Sequence, residues 1–558
     1  MVGFDETFDW VVIGSGAGSM SSGLLMRQTG KSVVILEKTE YAGGTSAKSG
    51  GVMWMPDNPF MDPGEDSVEK AMTYLDAVVG DAPDQPGTSR EKRMAYIVQG
   101  RQMVEFLLKN GVELERGSRF WPDYYDELPG GVKTSRTVVA KPYDKSQLKE
   151  WAPRLRTGTV ELPVRLDDGI RLGFLPPLAK IALMGRVGVK LILGKLTGKH
   201  WVSAGAALQG RMLQAALKAG VDIRLESPVS ELVVEDGKVT GVVTVKDDKP
   251  WRVGARLGVL VNAGGFARNQ EMRDRYMPGT RAEWSLTPEG DTGDMHREME
   301  RIGGVLAQMD QMVGYQMIRA PGWEQAYMPP CAQGVTAKPH AILVDQSGDR
   351  YMNEGGSYEE YCERMLERNK SIPAVPSWGI ADQQFMDQFT LASGGVGKTP
   401  KAWLESDYVK KADTIEELAK LINIDPPALK ATIDRWNGFV EKGSDEDFHR
   451  GDRTYDGWLG DHRKQGAMRN LGTIAKAPFY AFDVVPGDVS TYGGIVTDVH
   501  SRVLRADGSP IEGLYATGVS TASPMGRVYP GAGSSVGPSM TFGWIAARHA
   551  AGLGNHSL

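Results

Sequence analysis

The sequence is poor in cysteine and has no long uncharged apolar run. Only two of its 558 residues are cysteines, Cys331 and Cys362, and they form no CxxC pair. This composition excludes a disulfide framework, a haem-attachment CxxCH motif and the cysteine set of an iron–sulfur cluster. The eight histidines show no spacing typical of metal ligands, so no metal site is predicted. No apolar run reaches the roughly 18 residues of a membrane span, and no transmembrane helix is predicted.

The overall composition is that of an ordinary globular protein with much glycine. The N-terminus shows no signal-peptide pattern, and a cytoplasmic location is the expectation. The formal net charge of −6 makes nucleic acid an unexpected partner. A chain of 558 residues is too long for one core, which predicts two domains. The 69 glycines follow no collagen-like period and suit a fold whose backbone approaches a cofactor closely.

A glycine-rich turn between an apolar run and a helix lies near the N-terminus. Residues 8–13 predict a buried parallel strand, and residues 21–28 have helix-forming composition. Between them, Gly14 permits a tight turn and Gly16 lets the backbone approach a pyrophosphate. The N-terminus of the following helix offers free N–H groups and a positive dipole end to the phosphates. The segment therefore predicts a dinucleotide site.

The next segment completes this pattern, with one departure. A second apolar run at residues 32–36 ends in Glu37, about twenty residues after the glycines, where its carboxylate can accept from a ribose hydroxyl. The third glycine of a GxGxxG motif falls on Ser19, with Gly18 beside it. Glycine-rich turns alone are common in other proteins, but strand, turn, helix, strand and acid here occur in the expected order.

Later segments return to the same sheet. Residues 258–266 predict a buried strand that leads into two glycines, and residues 513–518 predict another strand with a glycine turn. A further glycine-rich turn at residues 529–537 opens a predicted helix at 538–551. The predicted fold class is α/β with an α+β second domain. A Rossmann-like domain formed by residues 1–285 and 486–558 surrounds an inserted substrate or catalytic domain at 286–485.

Residues 146–200 form an unusual insertion. No acidic residue occurs from Gly169 to Val221. This part contains two apolar stretches, and the charged residues in and around them are all basic: Arg171, Lys180, Arg186, Lys190, Lys195 and Lys199. One interpretation is an interfacial element that contacts anionic lipid through residues 170–200. The alternative is a core helix or a lid over an apolar pocket.

Several motifs carry a family resemblance. Glu37 and Lys38 are followed by Gly-Gly-Thr-Ser at 43–46 and Ser-Gly-Gly at 49–51, which resembles FAD-binding flavoproteins of the fumarate reductase and 3-ketosteroid dehydrogenase group. Residues 121–124, 350–358 and 529–533 resemble three motifs of the 3-ketosteroid Δ1-dehydrogenases. The resemblance covers nearly the whole chain except the insertion, and it implies FAD as cofactor.

The resemblance also implies which residues hold the cofactor. They are glycines, small polar residues and a few acids on the segments described above: Gly14, Ser15, Gly16, Ala17, Gly18, Glu37, Lys38, Gly44, Thr45, Ser46, Ser49, Gly50, Gly51, Val229, Ala263, Gly264, Asn269, Asp294, Gly518, Ser535 and Val536.

Four residues match the family's catalytic positions. The Tyr529 hydroxyl and the Gly533 N–H match the two donors to the steroid ketone oxygen, which stabilise the developing enolate. Tyr358 matches the general base that removes a proton from C2, and Tyr124 matches its hydrogen-bonded helper. The competing interpretation of each tyrosine is a half-buried core aromatic.

The expected function is therefore the introduction of a C1–C2 double bond into a 3-keto-4-ene steroid, with hydride transfer to flavin N5. An external acceptor such as a quinone is expected to reoxidise the flavin, since no second redox centre is predicted. The alternatives are a 3-ketosteroid Δ4-(5α)-dehydrogenase, a fumarate reductase-like enzyme and a non-catalytic flavin-binding module. If the insertion contacts lipid, a sterol-derived substrate with an intact side chain is favoured.

Overall fold

The computed structural model describes residues 3–80, 85–117, 121–165, 168, 175–321, 331–391, 399–406 and 408–554. Its strands are β1 (Glu6–Ile13), β2 (Val33–Leu36), β3 (Val52–Trp54), β4 (Leu114–Arg116), β5 (Thr137–Ala140), β6 (Tyr143–Asp144), β7 (Trp201–Val202), β8 (Asp222–Arg224), β9 (Glu231–Glu235), β10 (Lys238–Lys246), β11 (Lys249–Val261), β12 (Leu306–Ala307), β13 (Met312–Ile318), β14 (Ala341–Val344), β15 (Ser377–Asp382), β16 (Lys410–Ala412), β17 (Phe479–Thr491), β18 (Gly494–Ile495), β19 (Arg502–Leu504) and β20 (Pro510–Ala516).

The helices are α1 (Ala17–Gln28), α2 (Gly44–Lys48), α3 (Val68–Val79), α4 (Arg90–Lys109), α5 (Pro177–Leu196), α6 (Ala204–Ala219), α7 (Gln270–Tyr276), α8 (Asp294–Arg301), α9 (Gln333–Thr336), α10 (Tyr358–Asn369), α11 (Gln383–Gln388), α12 (Lys401–Glu405), α13 (Ile415–Leu421), α14 (Pro426–Lys442) and α15 (Val536–Ala550).

The central sheet has the strand order β19-β20-β11-β1-β2-β8, and β20, β11, β1, β2 and β8 run parallel. In one row across it, Val34, Val11, Val259 and Leu514 are register partners, and all four are buried. Apolar residues on both faces are typical of a parallel sheet covered by helices. The predicted Rossmann-like domain, with strands from both ends of the chain, is confirmed.

Helices α1 and α15 cover one face of this sheet, and they contact each other at glycine residues. A Cβ atom at Gly18 would lie 2.4 Å from the Ser539 carbonyl oxygen, and one at Gly543 would lie 2.4 Å from the Gly18 carbonyl oxygen. Gly18 thus allows the close packing that the third glycine of the motif allows elsewhere. Ser19 is buried, and its hydroxyl is hydrogen-bonded to the Asn262 side-chain amide at 3.0 Å.

The second sheet is antiparallel, with the order β13-β17-β15-β14 and β16 paired to β17. All of its strands lie between residues 312 and 491. The α+β character predicted for the second half of the chain is therefore confirmed. Helix α13 begins after a capping threonine, because the Thr414 hydroxyl accepts from the Glu417 N–H at 3.1 Å.

The insertion presents helix α5 to solvent. Seven apolar side chains on it are more than half exposed: Leu178, Ile181, Met184, Val189, Ile192, Leu193 and Leu196. The core-helix interpretation is therefore wrong for residues 177–196. The start of the predicted lipid-contact segment, residues 170–174, lies outside the described residues. Over the described parts of the chain, no helix combines the length and the apolarity needed to cross a bilayer.

A buried ion cluster joins β5 to the loop at residues 121–132. The Arg136 guanidinium donates to the Asp66 carboxylate at 2.7 and 2.8 Å and to the Asp123 carboxylate at 2.6 Å. The Trp54 indole N–H donates to the other Asp123 oxygen at 2.8 Å. The three charged side chains are at most 1% exposed, so each charge depends on its partners.

Removing the cation should destabilise the protein strongly. In Arg136→Gln two buried carboxylates lose their partner, which typically costs about 3–5 kcal/mol. Urea unfolding followed by tryptophan fluorescence measures this loss. The control is Arg435→Gln, which removes an exposed ion pair to Asp447 and should leave the transition unchanged. Coincident transitions of Arg136→Gln and wild type would contradict the structural role.

Candidate functional site

A cavity of about 610 Å³ extends from the carboxyl ends of β1, β2 and β11 to the second sheet. At one end it is lined by Gly14, Glu37 and Ala263, which follow these three parallel strands. At the other end it is lined by residues such as Tyr315 of β13 and Gln333 of α9. Ligand sites in open α/β sheets lie at such strand ends.

The backbone is tightly constrained where β1 ends. Gly14 has φ +88°, a conformation that glycine adopts readily, and a Cβ atom there would lie 2.4 Å from the Asn262 carbonyl oxygen. Its N–H donates to the Leu36 carbonyl oxygen at 2.8 Å. Helix α1 begins three residues later, so its N-terminal N–H groups face the cavity end where a pyrophosphate would bind.

The Glu37 carboxylate is fixed in the wall of the cavity. One of its oxygens accepts from the Ser15 hydroxyl at 2.6 Å and from the Ser15 N–H at 3.1 Å. The other accepts from the Thr39 N–H and hydroxyl, both at 3.0 Å. Glu37 is only 7% exposed. These bonds hold its carboxylate at the position where the sequence predicts an acceptor for a ribose hydroxyl.

Lys38 and Asp294 form an ion pair across the same end. The Lys38 ammonium lies 2.8 Å from an Asp294 carboxylate oxygen and 3.1 Å from the Thr292 hydroxyl. Burial raises the pKa of Asp294, but the hydrogen bond and charge of Lys38 outweigh it, and the net pKa is lowered. The Asp294 carboxylate therefore stays ionised and holds Lys38 in the cavity wall.

The second glycine cluster forms a wall without side chains. Gly44 begins α2 with φ +50°, and no atom lies within 4 Å of the position that its Cβ would take. The Gly43 N–H donates to the Ser15 hydroxyl at 2.9 Å, which joins this loop to the first glycine turn. At Gly51 a Cβ would lie 2.5 Å from the Ala204 backbone carbon. This bare wall fits a large flat ring system such as a flavin.

Most of the predicted cofactor residues line this one cavity. They are Gly14, Ser15, Gly16, Glu37, Lys38, Gly44, Thr45, Ser46, Ser49, Gly50, Gly51, Val229, Ala263, Gly264, Asp294, Ser535 and Val536.

Four of the predicted cofactor residues lie behind the lining. Gly18 packs against α15, and Ala17 donates its N–H to the Ser46 hydroxyl at 3.3 Å. Asn269 caps α7, with its side-chain oxygen accepting from the Met272 N–H at 3.1 Å, and its amide donates to the Thr292 carbonyl at 3.0 Å. Gly518 packs closely against the Asn262 side chain. These four residues lie next to the lining residues and support them.

Three tyrosines from distant segments meet at the other end of the cavity. The ring centroids of Tyr124 and Tyr358 are 5.5 Å apart, those of Tyr358 and Tyr529 are 5.8 Å apart, and those of Tyr124 and Tyr529 are 6.0 Å apart. All three line the cavity together with Gly533. The structure thus brings the four predicted catalytic residues together, and it leaves Tyr125 and Tyr361 outside the lining.

The hydroxyls of these three tyrosines affect one another's ionisation. Burial raises the pKa of Tyr358 well above its ordinary value of 10, and a hydrogen bond from Tyr124 acts in the opposite direction. Burial also raises the pKa of Tyr529, against hydrogen bonds from Ser535 and Tyr358. The Tyr529 hydroxyl lies 2.9 Å from the Ser535 hydroxyl. These hydroxyls can therefore stabilise a charge that forms on one of them.

Gly533 presents its backbone beside Tyr529. It has φ +90°, and a Cβ there would lie 2.1 Å from the Val52 carbonyl oxygen. Its own carbonyl accepts from the Trp54 N–H at 3.3 Å. The Tyr124 N–H donates to the nearby Pro530 carbonyl at 3.0 Å, so the loop that carries Tyr124 is bonded to the turn that carries Tyr529 and Gly533.

Two parts of the site were missed by sequence reasoning. In the polar loop at residues 445–461, the Tyr455 ring lies 4.5 Å from that of Tyr124, and Trp458 lies 5.8 Å from Trp121. Arg156, in the insertion, lines the dinucleotide end and donates to the Thr39 hydroxyl at 2.8 Å. Aromatic residues in an otherwise polar loop were the available signal for the first. For Arg156 the sequence contains no local signal.

The Arg-x-x-Asn-Glu motif at residues 350–354 lies outside the cavity lining. The Arg350 guanidinium lies 2.7 Å from the Glu354 carboxylate and 2.9 Å from that of Asp445, and all three side chains are buried. The Asn353 amide donates to the Asp456 carboxylate at 3.0 Å. The motif therefore positions Tyr358, four residues after Glu354, and anchors the loop of Tyr455.

Comparisons with known proteins place these features in a family context. Residues 9–536 match the family model described as FAD binding domain. A 3-oxosteroid 1-dehydrogenase of Mycolicibacterium smegmatis is 37% identical over 97% of this chain and 97% of its own length. A 4-oxocyclohexanecarboxylate 2-dehydrogenase of Sinomonas cyclohexanicum is 32% identical over 98% of this chain and 93% of its own length.

A solved structure is also similar over nearly the whole chain. The 3-ketosteroid Δ1-dehydrogenase of Sterolibacterium denitrificans, in complex with 1,4-androstadiene-3,17-dione, has a TM-score of 0.90 and 34% identity. The match covers 98% of this chain and 100% of that chain. These findings confirm the predicted fold class, the family resemblance and FAD as the cofactor.

The constraint at Gly14 makes flavin retention testable. In Gly14→Ala the methyl group would contact the Asn262 carbonyl and displace the turn from the pyrophosphate position. The ratio of flavin to protein absorbance in the purified variant should fall well below that of wild type. Gly30→Ala is the matched control, because Gly30 has a similar φ of +79° but no atom within 4 Å of the Cβ position. Equal flavin content in the two variants would contradict the assignment.

Proposed function

Because the chain belongs to the family of FAD-binding flavoproteins that includes the 3-oxosteroid 1-dehydrogenases, we propose that it introduces a C1–C2 double bond into 3-keto-4-ene steroids. The observation that carries this proposal is the meeting of Tyr124, Tyr358, Tyr529 and Gly533 in one cavity next to the glycine-lined wall. A ketone needs hydrogen-bond donors at its oxygen and a base near the α-carbon, and this cluster supplies both.

The two donors act on the ketone oxygen. The Tyr529 hydroxyl and the Gly533 N–H stabilise the negative charge that develops there as the C2 proton leaves. A preorganised donor of this kind contributes typically about 3–4 kcal/mol to transition-state stabilisation. The Ser535 hydroxyl, 2.9 Å from that of Tyr529, orients the donor.

Tyr358 takes the C2 proton. Its hydroxyl loses its own proton with difficulty in this buried site, because burial raises its pKa well above 10. The hydrogen bond from Tyr124 lowers that pKa and so increases the fraction of Tyr358 that is ionised and able to accept the proton. Bound FAD supplies the acceptor for the hydride that leaves C1, and the bare wall around Gly44 leaves room for its ring system.

The lining near the tyrosines favours an apolar substrate. Trp121, Tyr455, Trp458 and Leu459 line this part of the cavity, and none of the described lining residues around the tyrosines is cationic. The lysines and the arginine of the described lining belong to segments at the dinucleotide end. A steroid skeleton suits this lining better than a small ketone with a carboxylate, such as the substrate named for the Sinomonas relative.

The electrons leave through an external acceptor of the quinone class. The only cysteines of the chain, Cys331 and Cys362, cannot hold an iron–sulfur cluster, and no haem-attachment motif is present. Reduced flavin must therefore pass its electrons to a molecule that is not part of this chain.

Anaerobic spectroscopy tests the proposed reaction. Androst-4-ene-3,17-dione and cholest-4-en-3-one should each bleach the flavin of wild type and give a 1,4-diene-3-one. Tyr529→Phe should lower kcat by about 10²–10³, as expected for the loss of one such donor. Tyr358→Phe should lower it by about 10²–10⁴, the usual contribution of a positioned base. Tyr361→Phe is the control, since Tyr361 lies on the same helix but outside the cavity lining.

Specific outcomes would overturn the proposal. Flavin that stays oxidised with both steroids, while fumarate reoxidises the chemically reduced protein, would point to a fumarate reductase-like enzyme. Conversion of 5α-androstane-3,17-dione to the 4-ene instead of the 1-ene would point to the Δ4-(5α) alternative. Absence of turnover with any ketone would favour a binding module.

We also propose that α5 contacts the surface of an anionic bilayer. Leu178, Ile181 and Leu196 are 81%, 66% and 78% exposed, which is costly in water. The charged side chains within the helix, Lys180, Arg186, Lys190 and Lys195, are all basic. Exposed apolar residues with only basic charges complement an interface of acyl chains and anionic headgroups. Such contact would bring the enzyme to a water-insoluble steroid.

Vesicle cosedimentation of the full-length protein tests this contact. Wild type should sediment with vesicles of phosphatidylcholine and phosphatidylglycerol at low salt, and less with phosphatidylcholine alone. The double variant Ile181→Asp/Ile192→Asp should lose about tenfold in affinity per apolar side chain removed. Leu421→Asp is the control, because Leu421 is 52% exposed on a different helix. Equal binding of both variants, or no binding of wild type, would contradict the contact.

A further inference from the structure

The guanidinium of Arg453 bridges two acidic side chains from separate parts of the chain. Its Nε lies 3.0 Å from an oxygen of Glu127, and its Nη1 donates to an oxygen of Glu360 at 2.9 Å. Its Cζ also lies 5.3 Å from the centre of the Tyr125 ring. The side chains of Arg453 and Glu360 are 21% and 14% exposed, so solvent screens this contact weakly, whereas Glu127 is 40% exposed and its contact is screened more.

Each of these two acidic residues is close in sequence to one of the catalytic tyrosines Tyr124 and Tyr358. Glu127 lies three residues after Tyr124, on the loop at residues 121–132. Glu360 lies two residues after Tyr358, in the first turn of α10. One side chain therefore links the segment that carries the helper tyrosine to the helix that carries the base. Tyr125, next to Tyr124, is held beneath the same guanidinium.

The loop that carries Arg453 is itself anchored at both sides of this residue. Before it, the buried Arg450 side chain donates to the carbonyl oxygens of Lys338 and Asn470, each at 2.7 Å. After it, the Tyr455 N–H donates to the Asp126 carboxylate at 2.9 Å. The loop that carries Arg453 is thus fixed in place. The two ion pairs of Arg453 fix the segments that carry Tyr124 and Tyr358 relative to this loop.

We propose that Arg453 is a positioning residue that holds the Tyr124 hydroxyl within hydrogen-bond distance of the Tyr358 hydroxyl. This inference rests on the proposed function, in which Tyr358 is the base and Tyr124 its donor. The geometry supplies the reason, since no other described side chain forms ion pairs to both of these segments.

Charge gives Arg453 a second effect on the same pair. The titratable groups that act on Tyr358 are Tyr124, Tyr455 and Tyr529. The charged groups Arg453, Glu359, Glu360 and Glu363 act on Tyr125, which is adjacent to Tyr124, and Glu127 pairs with the same Arg453. Burial raises the pKa of Glu359 well above its usual range, which favours its neutral form. Without the cation, the carboxylates of Glu127 and Glu360 would be left uncompensated beside the tyrosine cluster, which would disfavour a tyrosinate in it.

Kinetics of Arg453→Gln and Arg453→Lys with androst-4-ene-3,17-dione test the inference. Arg453→Gln should lower kcat by up to about 10²-fold, as expected for a small displacement of reacting groups, with little change in KM. Its rate should also recover at higher pH than that of wild type. Arg453→Lys keeps one charge but not the forked geometry, so it should restore the pH profile more than the rate.

A double-mutant cycle with Tyr124→Phe separates positioning from general destabilisation. Because Arg453 acts through Tyr124, Arg453→Gln should cost little further activity when Tyr124 is already phenylalanine. The matched control is Arg368→Gln, which removes an ion pair of 2.7 Å to Asp345 from a side chain of similar exposure on the same helix as Tyr358. That variant should keep the wild-type rate and pH profile.

The outcomes distinguish this inference from the proposed function. Wild type that turns over no steroid would overturn the proposed function and this inference with it. A wild type that is active, with Arg453→Gln equal to it in kcat and pH profile, would overturn the positioning role alone. So would losses that add fully in the Tyr124→Phe/Arg453→Gln double variant.

Discussion

The position of Tyr124 depends on charge compensation in a part of the protein that water does not reach. Asp123 directly precedes it, and its carboxylate is held by the Arg136 guanidinium and the Trp54 indole. Trp54 also donates its backbone N–H to the Gly533 carbonyl. The helper tyrosine and the backbone donor are thus fixed by one buried cluster, because a displaced Asp123 carboxylate would lose its ion pair to Arg136 in a site that water does not reach.

Buried arginine side chains also fix the segments next to the second sheet. Arg350 is buried between Glu354 and Asp445, and the buried Arg450 donates to backbone carbonyl groups of neighbouring loops. These bonds fix the start of α10, which carries Tyr358, and the loop at residues 445–461. Buried ion pairs add little net stability, since desolvation offsets most of their attraction. The short distances that such ion pairs require fix the three tyrosine segments relative to one another, with ring centroids 5.5 to 6.0 Å apart.

Sequence reasoning succeeded where structure is determined locally. The strand, glycine turn and helix at residues 8–28 and the turn before α15 follow from short-range patterns, and the resemblance supplied the tyrosines. It failed where contacts join distant residues: Asp126 and Tyr455 are 329 positions apart, and no pattern within either segment indicates the pairing. Motif proximity also does not show which atoms face a cavity: Asn269 and Gly518 belong to predicted cofactor segments but lie outside the cavity lining.

Burial of the tyrosines creates a conflict that the site must resolve by hydrogen bonding. An apolar, enclosed cavity suits a steroid, but the same enclosure raises the pKa of Tyr358 and lowers the fraction of it that is ionised and able to act as a base. A nearby lysine or arginine would lower that pKa, yet a cation in the lining would also have to be desolvated when the steroid binds. A chain of neutral hydroxyls avoids this cost, since each donor stabilises charge only when it forms. The chain works only if its members stay in contact, and for this reason the charged groups lie outside the cavity, where they hold the tyrosine segments together.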